Sequence, residues 1–408
     1  MCDYPSIHTE PACFGAERFS MLRVVLRYTL LLLVMVVALL LYMAQSPFPD
    51  GVLRVALDAP MDNYSRPMTS LWQKNRYFAW RSSQGMLFIG QRQQDGQFEA
   101  TQLGDTLPHQ RQPILHVVQS GPHAGIVVVA YHDAQGHLLV QQTRRPADTR
   151  AWNPPQLVVD EEVTHINLLE NPAGELLLVY QQPLGEQNQI FIRFSHDGGR
   201  QWGSATLLAH HSGTQKDQLL VAGTPLASGY QISLFMLQPQ AAAQSLHLLQ
   251  GVIPTGSRSW QPIENKPLTK ILATQPNTHY TLQDLRVNGA WLRLLWRDDT
   301  LGVGHWLGWH QGEVHLHNLG AVAAAPCGMT LPQNPLEVTL LRKAQVQQIS
   351  LQDNTMQVVH VAPAQLGKGC HMYGIPDGED LDLLLSHQAA PNRPSALLGL
   401  SWRRLEQP

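Results

Sequence analysis

From residue 46 onward the apolar positions fall in runs of about four to seven residues, broken by Gly, Pro, Asn, Asp and Gln, and never hold a helical spacing over several turns. That pattern predicts an all-β unit. The runs also recur in a fixed setting: a glycine turn, a run of β-formers, a polar stretch, a second run and an aromatic. The clearest units are GIVVVAYHDAQGHLLVQQTRRPADTRAW from Gly125, GELLLVYQQPLGEQNQIFIRFSHDGGRQW from Gly174 and GYQISLFMLQPQAAAQSLHLLQGVIPTGSRSW from Gly229. Others start at Gly289 and Gly378, with a weaker first copy at Gly85. Recurrence at roughly 40 to 60 residues is the period of a β-propeller blade, whereas a sandwich supplies similar strands without repeating them. The count predicts a six-bladed propeller, or a seven-bladed one if the degenerate stretch PLEVTLLRKAQVQQISLQDNTMQVVHV is a further unit.

The N-terminal segment follows another pattern. YTLLLLVMVVALLLYMA, from Tyr28 to Ala44, carries no charge and, with Val24 to Leu26, approaches the ~20 residues that cross a bilayer. Arg18, Arg23 and Arg27 precede or flank it, so the positive-inside rule places the N-terminus in the cytoplasm. A cleaved signal peptide is the rival reading, against which stand the length of the apolar region and Tyr42, where a small residue is needed before a cut after Ala44. The predicted organisation is a cytoplasmic tail over 1–22, a transmembrane signal-anchor helix over 23–44, a linker and closing strand over 45–60, and the propeller over 61–408, periplasmic or extracellular.

Composition narrows the partners. With 44% hydrophobic and 14% charged residues the chain is no disordered tail, and a net charge of −3 offers no basic surface for nucleic acid. Of the four cysteines, Cys2 and Cys13 fall on the reducing side, while Cys327 and Cys370 fall on the exported side, as a disulfide or as two separate buried thiols.

Within FSHDGGRQW, residues Ser195, Asp197, Gly199 and Trp202 fill the pattern SxDxGxxW. The pattern makes physical sense: Asp197 accepts backbone N–H groups across a tight turn, Gly199 supplies a positive φ, and Trp202 packs back between sheets. It resembles the Asp-box (BNR repeat) of the sialidase, or neuraminidase, superfamily. Trp152 and Trp260 end other units that keep only fragments of the box. LLLSHQAAPNRPSALLGLSW, with Asn392, Arg393, Leu397 and Ser401 at matching places, resembles the closing blade of bacterial sialidase-like propellers, and NLLENPAGELLLVYQ from Asn167 resembles a blade opening.

The resemblance implies a structural turn on the side away from the active site. It also implies a site in which three arginines hold a sugar carboxylate, a Tyr/Glu pair is the nucleophile and an Asp is the acid/base. Arginine suits the first task because its planar fork meets a carboxylate through two charge-assisted hydrogen bonds. Arg66 in YSRPM faintly matches the family's arginine motif, with Ser65 inserted; Arg111 in HQRQPILHVV and Arg393 in NRPSALLGLS hold comparable positions. Lys216 and Asp217 in TQKDQLL complete the candidate substrate-binding set. No catalytic residue is assigned: Tyr373 in CHMYG is the one tyrosine shortly before the closing unit, and no Glu is identifiable to activate it.

His305, His310, His315 and His317 lie close in sequence, but no Cys or carboxylate completes a ligand set, so no metal or cofactor is implied. Trp291, Trp296, Trp306 and Trp309 cluster in the same unit, where packing is the expected role and sugar stacking the alternative. The sequence therefore points to a membrane-anchored, sialidase-like propeller that binds or hydrolyses an acidic or complex glycan. Its expected partners are a glycan or glycoconjugate and, through the N-terminal helix, a membrane. If it is an enzyme, the expected class is exo-glycosidase. The alternative is a non-catalytic propeller that mediates glycan or envelope-protein interaction.

Overall fold

The computed structural model describes residues 28–29, 32–36, 52–56, 68–73, 75–82, 84–92, 98–106, 112–185, 187–212, 218–239, 244–257, 259–267, 278–311, 313–322, 329–331, 334–342, 345–352, 356–361, 371–377, 380–387 and 396–402. The chain forms two compact units, Met1–Asp50 and Gly51–Pro408. In the first, residues 28–29 and 32–36 are helical and exposed. The expected transmembrane segment over 23–44 otherwise lies outside the described residues, as does the tail over 1–22. Among the described residues no helix is long and apolar enough to cross a membrane.

The second unit opens with β1 (Val52–Ala56) and runs through a first sheet of β2 (Met68–Trp72), β3 (Asn75–Arg81), β4 (Met86–Arg92) and β5 (Phe98–Thr106). The second sheet is β6 (Ile114–Val117), β7 (Val127–His132), β8 (Leu138–Gln142) and β9 (Gln156–Val159). The third is β10 (His165–Glu170), β11 (Leu176–Leu184), β12 (Gln187–Ser195) and β13 (Thr206–Ser212). The fourth is β14 (Gln218–Leu226), β15 (Gly229–Pro239), β16 (Gln244–Pro254) and β17 (Gln261–Pro267). The fifth is β18 (Tyr280–Asn288), β19 (Trp291–Asp298), β20 (Val303–His310) and β21 (Glu313–Ala321). A sixth holds β22 (Met329–Thr330), β23 (Glu337–Arg342), β24 (Gln345–Ser350) and β25 (Met356–Val361), and the chain closes with β26 (His371–Asp377), β27 (Asp380–His387) and β28 (Ala396–Trp402).

Every pairing within these sheets is antiparallel between sequential strands, except that β1 returns to pair with β28, Val52 opposite Leu400 and Ala56 opposite Ala396. The first strand of each sheet neighbours the first strand of the next, and β26 neighbours β2, so the sheets close into a ring. That is a β-propeller. Among the described residues the four-stranded sheets number seven, where the glycine-led units favoured six. The stretch read as a degenerate unit forms β23, β24 and β25.

The sequence pattern explains the layering. Second strands are buried on both faces and read as continuous apolar runs: VVVAYH in β7 is buried at every position. Third strands alternate, as in QNQIFIRFS of β12, buried at every second residue through most of its length. Five buried clusters are described, each filling the space between two successive sheets from the first to the sixth. One of them joins Leu177, Val179, Ile190 and Ile192 of the third sheet to Leu234, Met236 and Leu249 of the fourth. Each such aliphatic side chain contributes about 1.5–3 kcal/mol by its burial.

Candidate functional site

In this topology the passage from the last strand of one sheet to the first of the next always falls at one end of the sheets, as do the turns between second and third strands. The strand ends that flank the candidate residues, Ala56 and Met68, Thr106 and Ile114, Ser212 and Gln218, His387 and Ala396, all lie at that end. Arg66, Arg111, Lys216, Asp217 and Arg393 themselves lie outside the described residues, and so do Cys327 and Cys370. Tyr373 is placed in β26, its side chain outside the description.

Three described carboxylates at the same end are committed to turns or neighbouring side chains, while Asp160, Glu161 and Glu162 between β9 and β10 are exposed. Asp133 Oδ1 accepts from the N–H groups of Gln135 (2.8 Å) and His137 (2.9 Å), and its Oδ2 meets His137 Nδ1 at 2.8 Å. Asp298 Oδ1 accepts from Thr300 and Leu301 N–H, both at 2.9 Å. Asp299 takes hydrogen bonds from Arg297 and from the Thr281 hydroxyl. Four described tyrosines are shifted away from the phenolate. Burial pushes Tyr77, Tyr180 and Tyr280 above the ordinary phenol range, and burial together with the Glu170 charge pushes Tyr230 up to about 12.

The SxDxGxxW segment forms the turn from β12 to β13, at the opposite end of the sheets. Ser195 Oγ donates to Asp197 Oδ1 (2.8 Å) and accepts from Gly199 N–H (2.9 Å), while Asp197 Oδ1 also accepts from the N–H groups of Arg200 and Gln201, each at 2.9 Å. Gly199 has φ +90°, and a Cβ there would approach Val128 of the second sheet at 3.2 Å. Trp202 packs on the cluster between the second and third sheets. Trp152 and Trp260, from the decayed units, take equivalent places one sheet earlier and one sheet later. What recurs is a turn whose tryptophan fastens its own sheet to the preceding one. Asp197→Ala removes the acceptor for two backbone N–H groups and a hydroxyl, and is expected to cost about 2 kcal/mol, read as a lower urea midpoint at unchanged slope.

Each of the four histidines of the fifth sheet lies against one tryptophan there, His310 and His315 sharing Trp291. His310 stacks on Trp291 (centroids 4.5 Å apart, planes at 13°), and His315 lies 5.4 Å from the same ring. His305 stacks on Trp296, and His317 meets Trp306 edge-on. Trp296 and Trp306 are wholly buried, so these indoles serve the packing. Among the described residues no group of three or more His, Cys, Asp or Glu is placed to hold a metal ion.

Two polar sets escaped the sequence reading. Between the fifth and sixth sheets, buried Arg293 donates to Asn334 O (3.0 Å), and Arg286 pairs with Asp284 (3.1 Å), whose Oδ2 accepts from Leu331 N–H. Burial and the Arg286 charge bring Arg293 down to about 10, still protonated at neutral pH. The other set lies between the third and fourth sheets at the loop-bearing end: Gln181, Asn188 and His211 from one sheet, Ser245 and His247 from the other. Ser245 Oγ and His247 Nε2 share a hydrogen bond of 2.8 Å. Burial, and then His211, hold His247 below the usual imidazole range.

The ring of sheets and the strand that clasps it define the class, a β-propeller. No family model matches the chain, and no curated protein matches it either. Solved structures do. An ulvan lyase from a new family of polysaccharide lyase, bound to -[GlcA(1-4)Rha3S]-, superposes with a TM-score of 0.60 at 10% identity, over 86% of this chain and 98% of that one. The polysaccharide lyase Uly1 gives 0.52 at 10% identity, over 81% and 88%. These similarities establish the propeller fold.

Proposed function

We propose that this protein is a membrane-anchored propeller that binds an acidic glycan at the loop-bearing end of its sheets, outside the cytoplasm. The observation that carries this reading is topological: the strand ends flanking Arg66, Arg111, Lys216 with Asp217, and Arg393 belong to four different places in the ring but to one end of it. Cationic residues in segments whose flanking strand ends share one end of the ring would suit a carboxylated sugar, which arginine binds through paired hydrogen bonds. A propeller of like fold bound to -[GlcA(1-4)Rha3S]- supports the ligand class. SxDxGxxW supports kinship with sialidases, and the exposed apolar residues Leu32, Leu33, Val34 and Met35 support the anchor.

Binding is favoured over hydrolysis. Asp133, Asp298 and Asp299 at this end are held by turn N–H groups or neighbouring side chains, and burial pushes Tyr280 there toward the un-ionised phenol, whereas a sialidase nucleophile needs a carboxylate that activates the tyrosine. The full chain in detergent micelles is to be titrated calorimetrically with sialylated and uronic-acid oligosaccharides, beside a fluorogenic sialoside assay. Binding without turnover is expected, weakened about tenfold (about 1.4 kcal/mol) by each of Arg66→Ala, Arg111→Ala and Arg393→Ala, and weakened by salt. Sustained fluorophore release would favour the exo-glycosidase reading; indifference to all three substitutions would sink both.

A further inference from the structure

The space between the third and fourth sheets changes character along its length. Toward the far end it is apolar, filled by Leu177, Val179, Ile190 and Ile192 against Leu234, Met236 and Leu249. At the loop-bearing end the same columns turn polar. Gln181 continues the column of Leu177 and Val179 in β11, and Asn188 that of Ile192 and Ile190 in β12, with His211 of β13 paired opposite Asn188. From the facing sheet, Ser245 and His247 continue the column of Leu249 in β16. The two sets face one another because the aliphatic residues of the same columns, Leu177, Val179, Ile190 and Leu249, pack in one cluster across the two sheets. Gln181, Asn188 and Ser245 are each 1% exposed. His211 and His247 are half-buried as residues, with both ring nitrogens of His211 buried.

Gln181 is the informative member. Its carboxamide oxygen and nitrogen are both buried, and neither has a hydrogen-bond partner among the described residues. Leaving a buried amide unmatched destabilises a fold, whereas an aliphatic side chain of the same size would extend the cluster below at no such cost. A position that forgoes the stable choice and aims an unmatched donor and acceptor at a lined polar gap is one kept for a ligand. The lining chemistry names the ligand's class. Amides, a hydroxyl and two imidazoles offer both donors and acceptors with no permanently charged group, which suits vicinal hydroxyl groups rather than a carboxylate or phosphate.

We infer that the polar gap between the third and fourth sheets is a second binding site, separate from the arginine-bearing loops, for a neutral, hydroxyl-rich ligand such as an uncharged monosaccharide unit. The ligand's class rests on the glycan reading; the existence of the site does not.

The test uses the full chain in micelles, Gln181→Leu, and Gln181→Met as a second variant of similar volume. Neutral methyl glycosides of glucose, galactose and mannose are the probes, followed by saturation-transfer NMR and by thermal melting. At least one glycoside is expected to bind and to raise the melting temperature of the parent, with affinity lowered at least tenfold in both variants. Both variants are also expected to melt about 2 °C above the unliganded parent, since they remove an unmatched buried amide. A residue that only supports the fold gives the reverse, a lower melting temperature. The inference is overturned if no glycoside binds, if the variants retain binding, or if they melt lower than the parent. Acidic oligosaccharides run in parallel report on the arginine face. Loss of acidic binding alone overturns the proposed function and leaves the gap site standing, and the converse holds equally.

Discussion

Glu170→Ala is expected to lower the unfolding free energy by about 3 kcal/mol, because one carboxylate organises the chain that follows β6. Its Oε2 meets His116 Nε2 at 2.7 Å and accepts from Gln119 N–H at 2.7 Å, while Oε1 accepts from the N–H (2.9 Å) and hydroxyl (2.7 Å) of Ser120. The side chain is 7% exposed, so alanine leaves these donors with little water to replace it. Burial alone would raise the carboxyl's pKa, but the hydrogen bonds from His116, Gln119 and Ser120 outweigh it and hold the group below the ordinary range. The sign follows. A folded-state pKa below the unfolded one stabilises the fold above about pH 4.3, and this contribution fades as the pH falls through the folded value. Urea midpoints at pH 7 and pH 3.5 check it: the acid-induced drop is to shrink in Glu170→Gln. An equal drop in parent and variant would refute the assignment.

Trp306→Ala is expected to cost about 3–5 kcal/mol, the range for emptying a large aromatic from a packed interior. The indole is fully buried between the fifth and sixth sheets with Leu295, Met329, Val338 and Leu340. Trp291 lies 6.2 Å from it and His317 edge-on at 5.4 Å. Gly308 is part of the same fit, since a Cβ there would lie 2.1 Å from the indole, so Gly308→Ala is a destabilising companion that adds an atom where Trp306→Ala removes many. Scanning calorimetry separates them from Trp291→Ala, whose half-buried ring has less to lose.

The middle strands of each sheet were legible in the sequence and the innermost ones were not, for a physical reason. Strands such as VVVAYH and LLLVYQQPL are covered on both faces, so every residue must be apolar until the strand leaves the core, and a glycine turn announces them. Inner strands are short or mixed: ILHV and HINLLE alternate at best, and β22 is the pair Met329–Thr330. The sixth sheet carries the weakest signal, because no glycine turn leads into β23.

The candidate sites were legible to different degrees. The turn of Ser195 and Asp197 is local, its bonds spanning at most four residues, so residue order was enough to foresee it. The polar gap is the opposite case. Gln181 reads as an unremarkable strand end, and its burial follows only from the packing of the fourth sheet on the third. The same holds for Arg293, a charged residue inside an apolar strand whose partner is the carbonyl of Asn334 in the next sheet.

The pairing of β1 with β28 has a kinetic meaning. Val52–Ala56 is made early and Ala396–Trp402 late, so the clasp strand waits on the ribosome with an unmatched edge while nearly the whole ring is synthesised. Closure joins the most distant parts of the unit and is entropically the slowest pairing to find. A nascent chain arrested before Ala396 exposes both the waiting strand and the edge of β27, two surfaces open to mispairing with neighbouring copies.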